Sequence, residues 1–231
     1  MSTLLLRLEG PLQSWGTDSR FEKRFSSREP SKSGVIGLLC AALGKPREEQ
    51  AGDGFPSLAD LSALRLGVRL DVEGSLHSDY HTAGNLYRDG TGGILAADGH
   101  LRKQAVLSVR YYLSGASFLV GLEGAMPLLE RIHAALRSPV WQLCLGRKAF
   151  VPARPVYLPD GLVKERLEDA LQRHWPAQGA GRELYAVVDD TEGGSADVRL
   201  DVPHDFFGRR FGPRSVRRVL LQPPATAPAG G

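Results

Sequence analysis

Cysteine is scarce in this chain: Cys40 and Cys144 stand far apart, each in an apolar setting, and neither belongs to a C-x-x-C pair. That excludes a disulfide framework and a thiolate zinc site, reads both as core thiols, and fits a reducing cytoplasm. No apolar run approaches the ~20 residues of a spanning helix, and the opening MSTLLLRLEG lacks the basic start of an export signal. A cytosolic protein without membrane contact is expected. Aromatics make up only 7% of the residues, and the aromatic strand signature of RNA-recognition motifs is missing, which argues against base stacking on a sheet surface. There is no phosphate loop, because Gly44-Lys45 runs into Pro46, and there is no H-E-x-x-H or G-x-S-x-G. No cofactor and no internal repeat is expected.

Excess charge is also small, +3 from 29 basic and 26 acidic residues, although the pI is about 9.0. Its distribution says more. Basic residues cluster at 20–32, 147–154 and 209–218, which points to a polyanion partner. The first cluster, Arg20, Lys23, Arg24, Arg28 and Lys32, lies in a polar loop that runs straight into an apolar helix. Two readings of that junction stand open. The amides of Ser33 and Gly34, at the positive end of the helix dipole, suit an anion. Equally, Ser31 or Ser33 caps a buried helix and the charges are solvated.

Periodicity organises the rest. Leu4, Leu6 and Leu8 alternate with Leu5, Arg7 and Glu9 in a strand over 3–9, and a nearly all-apolar helix spans 33–43 until Gly44-Lys45-Pro46 stops it. Ser57 caps a short helical turn through Ala63, and 64–73 is a strand with Leu64, Leu66, Val68, Leu70 and Val72 facing away from Arg65, Arg69, Asp71 and Glu73. Residues 74–104 hold Gly74, Gly84, Gly90, Gly92, Gly93 and Gly99 with His77, Tyr80, His81, Tyr87 and Arg88 among them, which predicts a protruding hairpin or arm with a turn at Asp98-Gly99. Strands at 106–113 and 116–122, a helix at 125–137 and an extended segment over 140–158 follow. The order is β-α-β-β-α-β, which predicts an α+β fold of the ferredoxin-like type over residues 1–158. Residues 159–221 are expected as a C-terminal appendage: a helix at 162–174, a hairpin of 184–188 with 197–202, and a strand near 215–221. The tail 222–231, QPPATAPAGG from its first residue, is expected to be disordered.

Several residues could carry chemistry. His77, Asp79 and His81 would share one face of a strand, but no fourth strong ligand is evident, and no metal site is expected. His81 beside Tyr80 could activate a 2′-hydroxyl for RNA cleavage, or the two could pack or bind at the root of the arm. In Leu145-Gly146-Arg147-Lys148 a glycine precedes two cations, which suits close approach of a phosphate backbone or a plain turn. Arg110, on the polar side of its strand, joins the cationic candidates, and Gln13 and Trp15 are candidates for base or ribose contact, although such a Trp is more often core. On a strand Arg217 and Arg218 must face opposite sides, so the third basic cluster cannot form one continuous patch.

Four stretches, R-L-E-G-P-L-Q-S-W-G (7–16), P-S-K-S-G-V-I-G-L-L (30–39), D-Y-H-T (79–82) and L-G-R-K (145–148), occur in this order from residue 3 to about 160. Together they resemble the CasD family, the fifth-family Cas subunits of the type I-E CRISPR surveillance complex Cascade, within the RAMP superfamily. The resemblance implies a ferredoxin-like RNA-binding subunit that caps the complex and holds the 5′ handle of the CRISPR RNA. It implies a thumb at 74–104, a backbone subunit and a large subunit as neighbours, and target DNA met only through the complex. It also implies no catalysis. The enzyme alternative is a metal-independent endoribonuclease, as in type I-C relatives that use Tyr, Lys and His; Tyr80, His81 and Lys148 would be its residues here.

Overall fold

The computed structural model describes residues 1–16, 19–20, 23–50, 52–84, 91–95, 100–177, 181–194 and 197–224, leaving aside the side chains of residues 19 and 20. The alternating leucines at the start form β1 (Ser2–Glu9), followed by the short strands β2 (Leu12–Gln13), β3 (Ser19–Arg20) and β4 (Lys23–Arg24). Helices α1 (Lys32–Leu43) and α2 (Leu58–Ala63) lead to β5 (Arg65–Val72), β6 (Ser75–Ala83), β7 (Ile94–Leu95), β8 (Leu101–Arg102), β9 (Val106–Ser114) and β10 (Ser117–Gly124). The chain then runs through α3 (Met126–Arg137), β11 (Tyr157–Val163), α4 (Leu167–Ala170), β12 (Leu184–Asp189), β13 (Asp197–Asp205) and β14 (Arg210–Leu221). The expected turn at Asp98-Gly99, the residues Tyr87 and Arg88 and most of the tail lie outside the described residues.

Seven strands form one sheet in the order β11-β1-β10-β5-β12-β14-β13, and every neighbouring pair is antiparallel. Its centre is strongly apolar because both faces are covered. Leu4, Leu6, Leu8, Phe118 and Val120 meet Ile36 and Leu39 of α1 and Leu129, Ile132 and Leu136 of α3. On the reverse face Leu5, Leu119 and Val188 pack on Leu167 and Leu171 in and after α4. The polar side expected for β5 is therefore interior. Arg69 is 0% exposed; its guanidinium grips the Asp71 carboxylate and the carbonyls of Leu171, Arg173 and His174, and lies 5.1 Å over the Trp175 ring. A buried guanidinium with that many acceptors is a satisfied structural group.

The C-terminal third departs most from expectation. The strand foreseen across 140–158 begins only at Tyr157 and runs to Val163, because this stretch pairs with the free edge of β1. The helix expected at 162–174 shrinks to α4, and carbonyls after its end go to Arg69 instead of extending it. The expected hairpin does not form: β12 pairs with β14 and β5, and β13 reaches only β14. Through β12 the segment foreseen as an appendage extends the main sheet.

A smaller sheet stands beside the main one, with β9 flanked by β6 along nine residue pairs and by β2 and β4. Strand β6 was not legible as one: its side chains are nearly all exposed, so no apolar alternation marks it.

Candidate nucleic-acid interface

On the small sheet β4 lies parallel to β9, which sets Arg24 directly across from Arg110. The Phe25 ring stacks on Tyr111 with centroids 5.0 Å apart and fixes that short pairing. Arg147 arrives from the loop after Leu145, and its Nη2 donates to the Tyr111 carbonyl at 2.9 Å. Like charges across a strand pair repel. Burial, then Arg24, pulls the Arg110 guanidinium below its ordinary value; burial, then Arg110 and Arg24, does the same to Arg147. Asp79, paired across β6 and β9 with Arg110, opposes both effects. Arginine stays charged regardless, so among the described residues three cations and one carboxylate leave a surplus of positive charge. Guanidinium forks gathered this way suit phosphate oxygens.

The loop that delivers Arg147 is tightly built. Ser14 donates its amide to Leu145 at 3.0 Å, Leu145 to Phe150 at 2.7 Å, and Phe150 back to Arg147 at 2.9 Å. Gly146 has φ +91°, and a Cβ there would lie 1.8 Å from the Ser14 carbonyl oxygen. The close approach at this glycine, which the sequence left open between a phosphate backbone and a plain turn, is made by the chain's own Ser14 backbone. The loop then divides: Arg147 turns to the arginines, 5.4 Å over Phe150, while Gly146 and Lys148 line a cleft against α1.

Several expected contacts are corrected by burial. Gln13 is 0% exposed; its Nε2 donates to the carbonyls of Leu8 and Ala116, and its Oε1 accepts from Trp15 Nε1. Trp15, 1% exposed, belongs to the core, with its ring against Gly34, whose Cβ would stand 2.8 Å from it. Lys32 is buried and salt-bridged to Asp189 at 2.9 Å. The helix start is already served by protein groups: Lys32 N donates to Asp201 at 2.7 Å and Gly34 N to Ser31 Oγ at 3.3 Å. Of the two readings of that junction, the cap holds for Ser31. In the third basic cluster Arg214 is held by Asp189 and Asp201, Arg217 by Glu168 and the exposed Arg210 by Asp205, while Arg209 and Arg218 are exposed.

Lys23, Arg24 and Arg28 are exposed, as a binding loop requires, whereas the side chain of Arg20 lies outside the described residues. Tyr80, 65% exposed, and His81 neighbour each other on β6 and so leave it on opposite faces. His81 Nδ1 lies 3.2 Å from Asp79 Oδ2, on the Arg110 side. Lys148 lines the cleft instead, so the three residues of the enzyme alternative do not share a face. Among the described residues no group of three His, Cys, Asp or Glu is placed to hold a metal. Burial pushes the Cys40 thiol up to about 11, as for a core thiol, while Cys144 is half-buried.

The cleft brings together Ser33, Gly34, Gly146 and Lys148, which the sequence singled out, with Trp141, Phe206 and Phe211, which it did not. The one available signal was a Trp two residues beyond the helix-ending Pro139, in a stretch with no apolar period. Among the described residues, no helix is long and apolar enough to cross a membrane.

Known proteins are similar to this chain in sequence and fold. It is 31% identical over 169 residues to the CRISPR system Cascade subunit CasD of Escherichia coli (strain K12), covering 68% of this chain and 70% of the relative. A solved Cas protein superposes with a TM-score of 0.71 at 41% identity over 95% of each chain. A chain of a CRISPR RNA-guided surveillance complex gives 0.71 at 31% identity, over 96% of this chain and 91% of its own. The family profile described as CRISPR-associated protein (Cas_Cas5) matches residues 3–217, a span that holds the arginine cluster and the cleft, and the chain belongs to that family.

Proposed function

We propose that this chain is the RNA-binding subunit of a Cascade-type CRISPR surveillance complex, capping the complex and holding the 5′ handle of the CRISPR RNA without cutting it. The observation that carries the reading is the Arg24, Arg110 and Arg147 cluster, whose mutual repulsion in the free protein is relieved when phosphates arrive. The order β1-α1-β5-β10-α3-β11 with β11-β1-β10-β5 as neighbours supports a ferredoxin-like core, and the exposed β6–β9 ribbon supports a thumb that engages RNA. The Cascade relative supports a place among other subunits of such an assembly; in this reading those neighbours are of the backbone and large-subunit kind, and target DNA is met through the assembly. That Tyr80 and His81 leave β6 on opposite faces while Lys148 lines the cleft supports a binding role over a nuclease.

The test is incubation of the purified chain with labelled repeat RNA in EDTA, scored for binding and cleavage together. Handle binding without a cut is expected. A specific cut that disappears in His81→Ala would replace this reading with an endoribonuclease.

A further inference from the structure

The outer strand of a sheet can add another chain, because its outward N–H and C=O groups lack partners, and this chain guards its sheet edges unevenly. The outer strands of the main sheet are blunted. β11 carries Pro159 and a register shift against β1, and β13 carries Pro203 and two register shifts against β14. Strand β6 is different. Its nine residues, SLHSDYHTA, hold neither proline nor lysine, and they pair with β9 from Ser75 to Ala83 without a register shift. β9 takes one edge of β6, and no strand among the described residues takes the other. The side chains from Ser75 to Thr82 are all exposed. A long, accessible edge without the usual guards is open to pairing with another strand.

The two faces of the ribbon specify which strand fits. On one face Leu76, Tyr80 and Thr82 lie opposite Leu113, Val109 and Leu107. On the other, His77 stacks on Tyr112 with centroids 5.7 Å apart, Asp79 opposes Arg110 and His81 opposes Ser108. Two copies joined edge to edge about a twofold axis normal to the sheet keep like faces together, so one residue must sit on the axis. With Asp79 there, two carboxylates meet directly. With Ser78 there, Asp79 faces His77, whose ring is already engaged with Tyr112. With Tyr80 there, the two phenol rings meet, Ser78 faces Thr82 of the second copy, and each Asp79 faces His81 of the other. Asp79 and His81 already lie 3.2 Å apart within one copy, so the axis gathers two such pairs beside the paired rings.

We propose that two copies of the free protein associate through β6, antiparallel and centred on Tyr80, to make one continuous sheet β9-β6-β6-β9. The occupant is a second copy because the edge is complementary to itself: an aromatic ring on the axis, with a carboxylate facing an imidazole on either side. Arg24 belongs to the strand on the far edge of β9, so this contact leaves it uncovered. A single strand pair is a small interface, and the dimer therefore exchanges with monomer.

The experiment is sedimentation of the full chain across a concentration series. The mass should rise from the 25.0 kDa of one chain to twice that and stop there, because a twofold contact uses up both edges. Tyr80→Lys puts two ammoniums on the axis and should keep the protein monomeric at every concentration, with an unchanged circular dichroism spectrum because Tyr80 is exposed. Directly opposed residues of an antiparallel pair have Cα atoms about 4.5–5.5 Å apart, within disulfide reach. Under mild oxidation Tyr80→Cys should accordingly form a covalent dimer, whereas the wild type and Ser78→Cys should not. A wild type that stays at one mass would overturn the proposal and leave the edge to a strand from a different chain. A Tyr80→Lys variant that still dimerises would overturn it as well. So would crosslinking of Ser78→Cys as strong as that of Tyr80→Cys, or masses that grow beyond two copies.

Discussion

Replacing Arg24 by Gln should make the free protein more stable and the RNA complex weaker, and the opposite signs are the point. Arg24 is exposed and faces Arg110 across a parallel strand pair, so its removal relieves a like-charge contact and breaks no structural hydrogen bond described above. Such contacts cost about 0.2–1 kcal/mol, and the lower half applies here because solvent screens an exposed guanidinium. For a chain of 231 residues about 0.2–0.5 kcal/mol raises the melting temperature by roughly 0.5–2 °C. If Arg24 neutralises one phosphate, the salt slope of RNA binding should flatten by about 0.7, the single-strand value per phosphate. Loss of a charge-assisted contact lowers affinity by about 10-fold or more. Differential scanning fluorimetry and filter binding across a salt series measure both. A lower melting temperature with an unchanged slope would mean that Arg24 is a structural cation, and the anion site would have to be sought elsewhere.

Other perturbations test the scaffold. Gly146→Ala should destabilise by about 3 kcal/mol or more and lower the melting temperature by roughly 6–12 °C, because its Cβ cannot coexist with the Ser14 carbonyl. Asp201→Ala strips partners from the Arg214 guanidinium and the Lys32 amide, and urea unfolding should show a loss of about 3–5 kcal/mol. The hydrogen bond from Arg65 holds the Glu168 carboxyl below its ordinary value of 4.5, with burial opposing. A folded-state pKa below the unfolded one gives stability that is present above pH 4.5 and is lost as pH falls through the folded value. Glu168→Gln should accordingly flatten the decline of stability on acidification, as followed by circular dichroism.

The elements with a clear apolar period or a nearly continuous apolar run were the legible ones: β1, α1, β5, β9, β10 and α3. The reading of β5 shows where that stops. Its alternation was plain, but nothing local says that a second layer covers its other face, so Arg69 looked like a solvent residue. The pairing of β12 with β14 and β5 likewise depends on contacts between distant segments, which no local period encodes. At the site the cationic candidates divide on the same ground. Arg24, Arg110 and Arg147 come together, whereas Lys32 and Arg214 are claimed by acids more than a hundred residues away in one case and by neighbouring strands in the other. Charge clusters in a sequence reveal where cations are, not which carboxylates fold back onto them.

That long-range pairing has a temporal side. Lys32 and Asp201 are 169 residues apart in the chain, and the helix start at Lys32 is complete only when Asp189, Asp201 and Arg214 have arrived. At about 5–20 residues per second, a ribosome needs roughly 10–30 s to deliver that partner. Throughout that interval α1 carries a cation destined for the interior without the carboxylates of its folded site, so its docking cannot finish before those strands have emerged. Docking of α1 is thereby tied to synthesis of the strand that carries Asp201, and the nascent N-terminal half is the stage most exposed to misassembly.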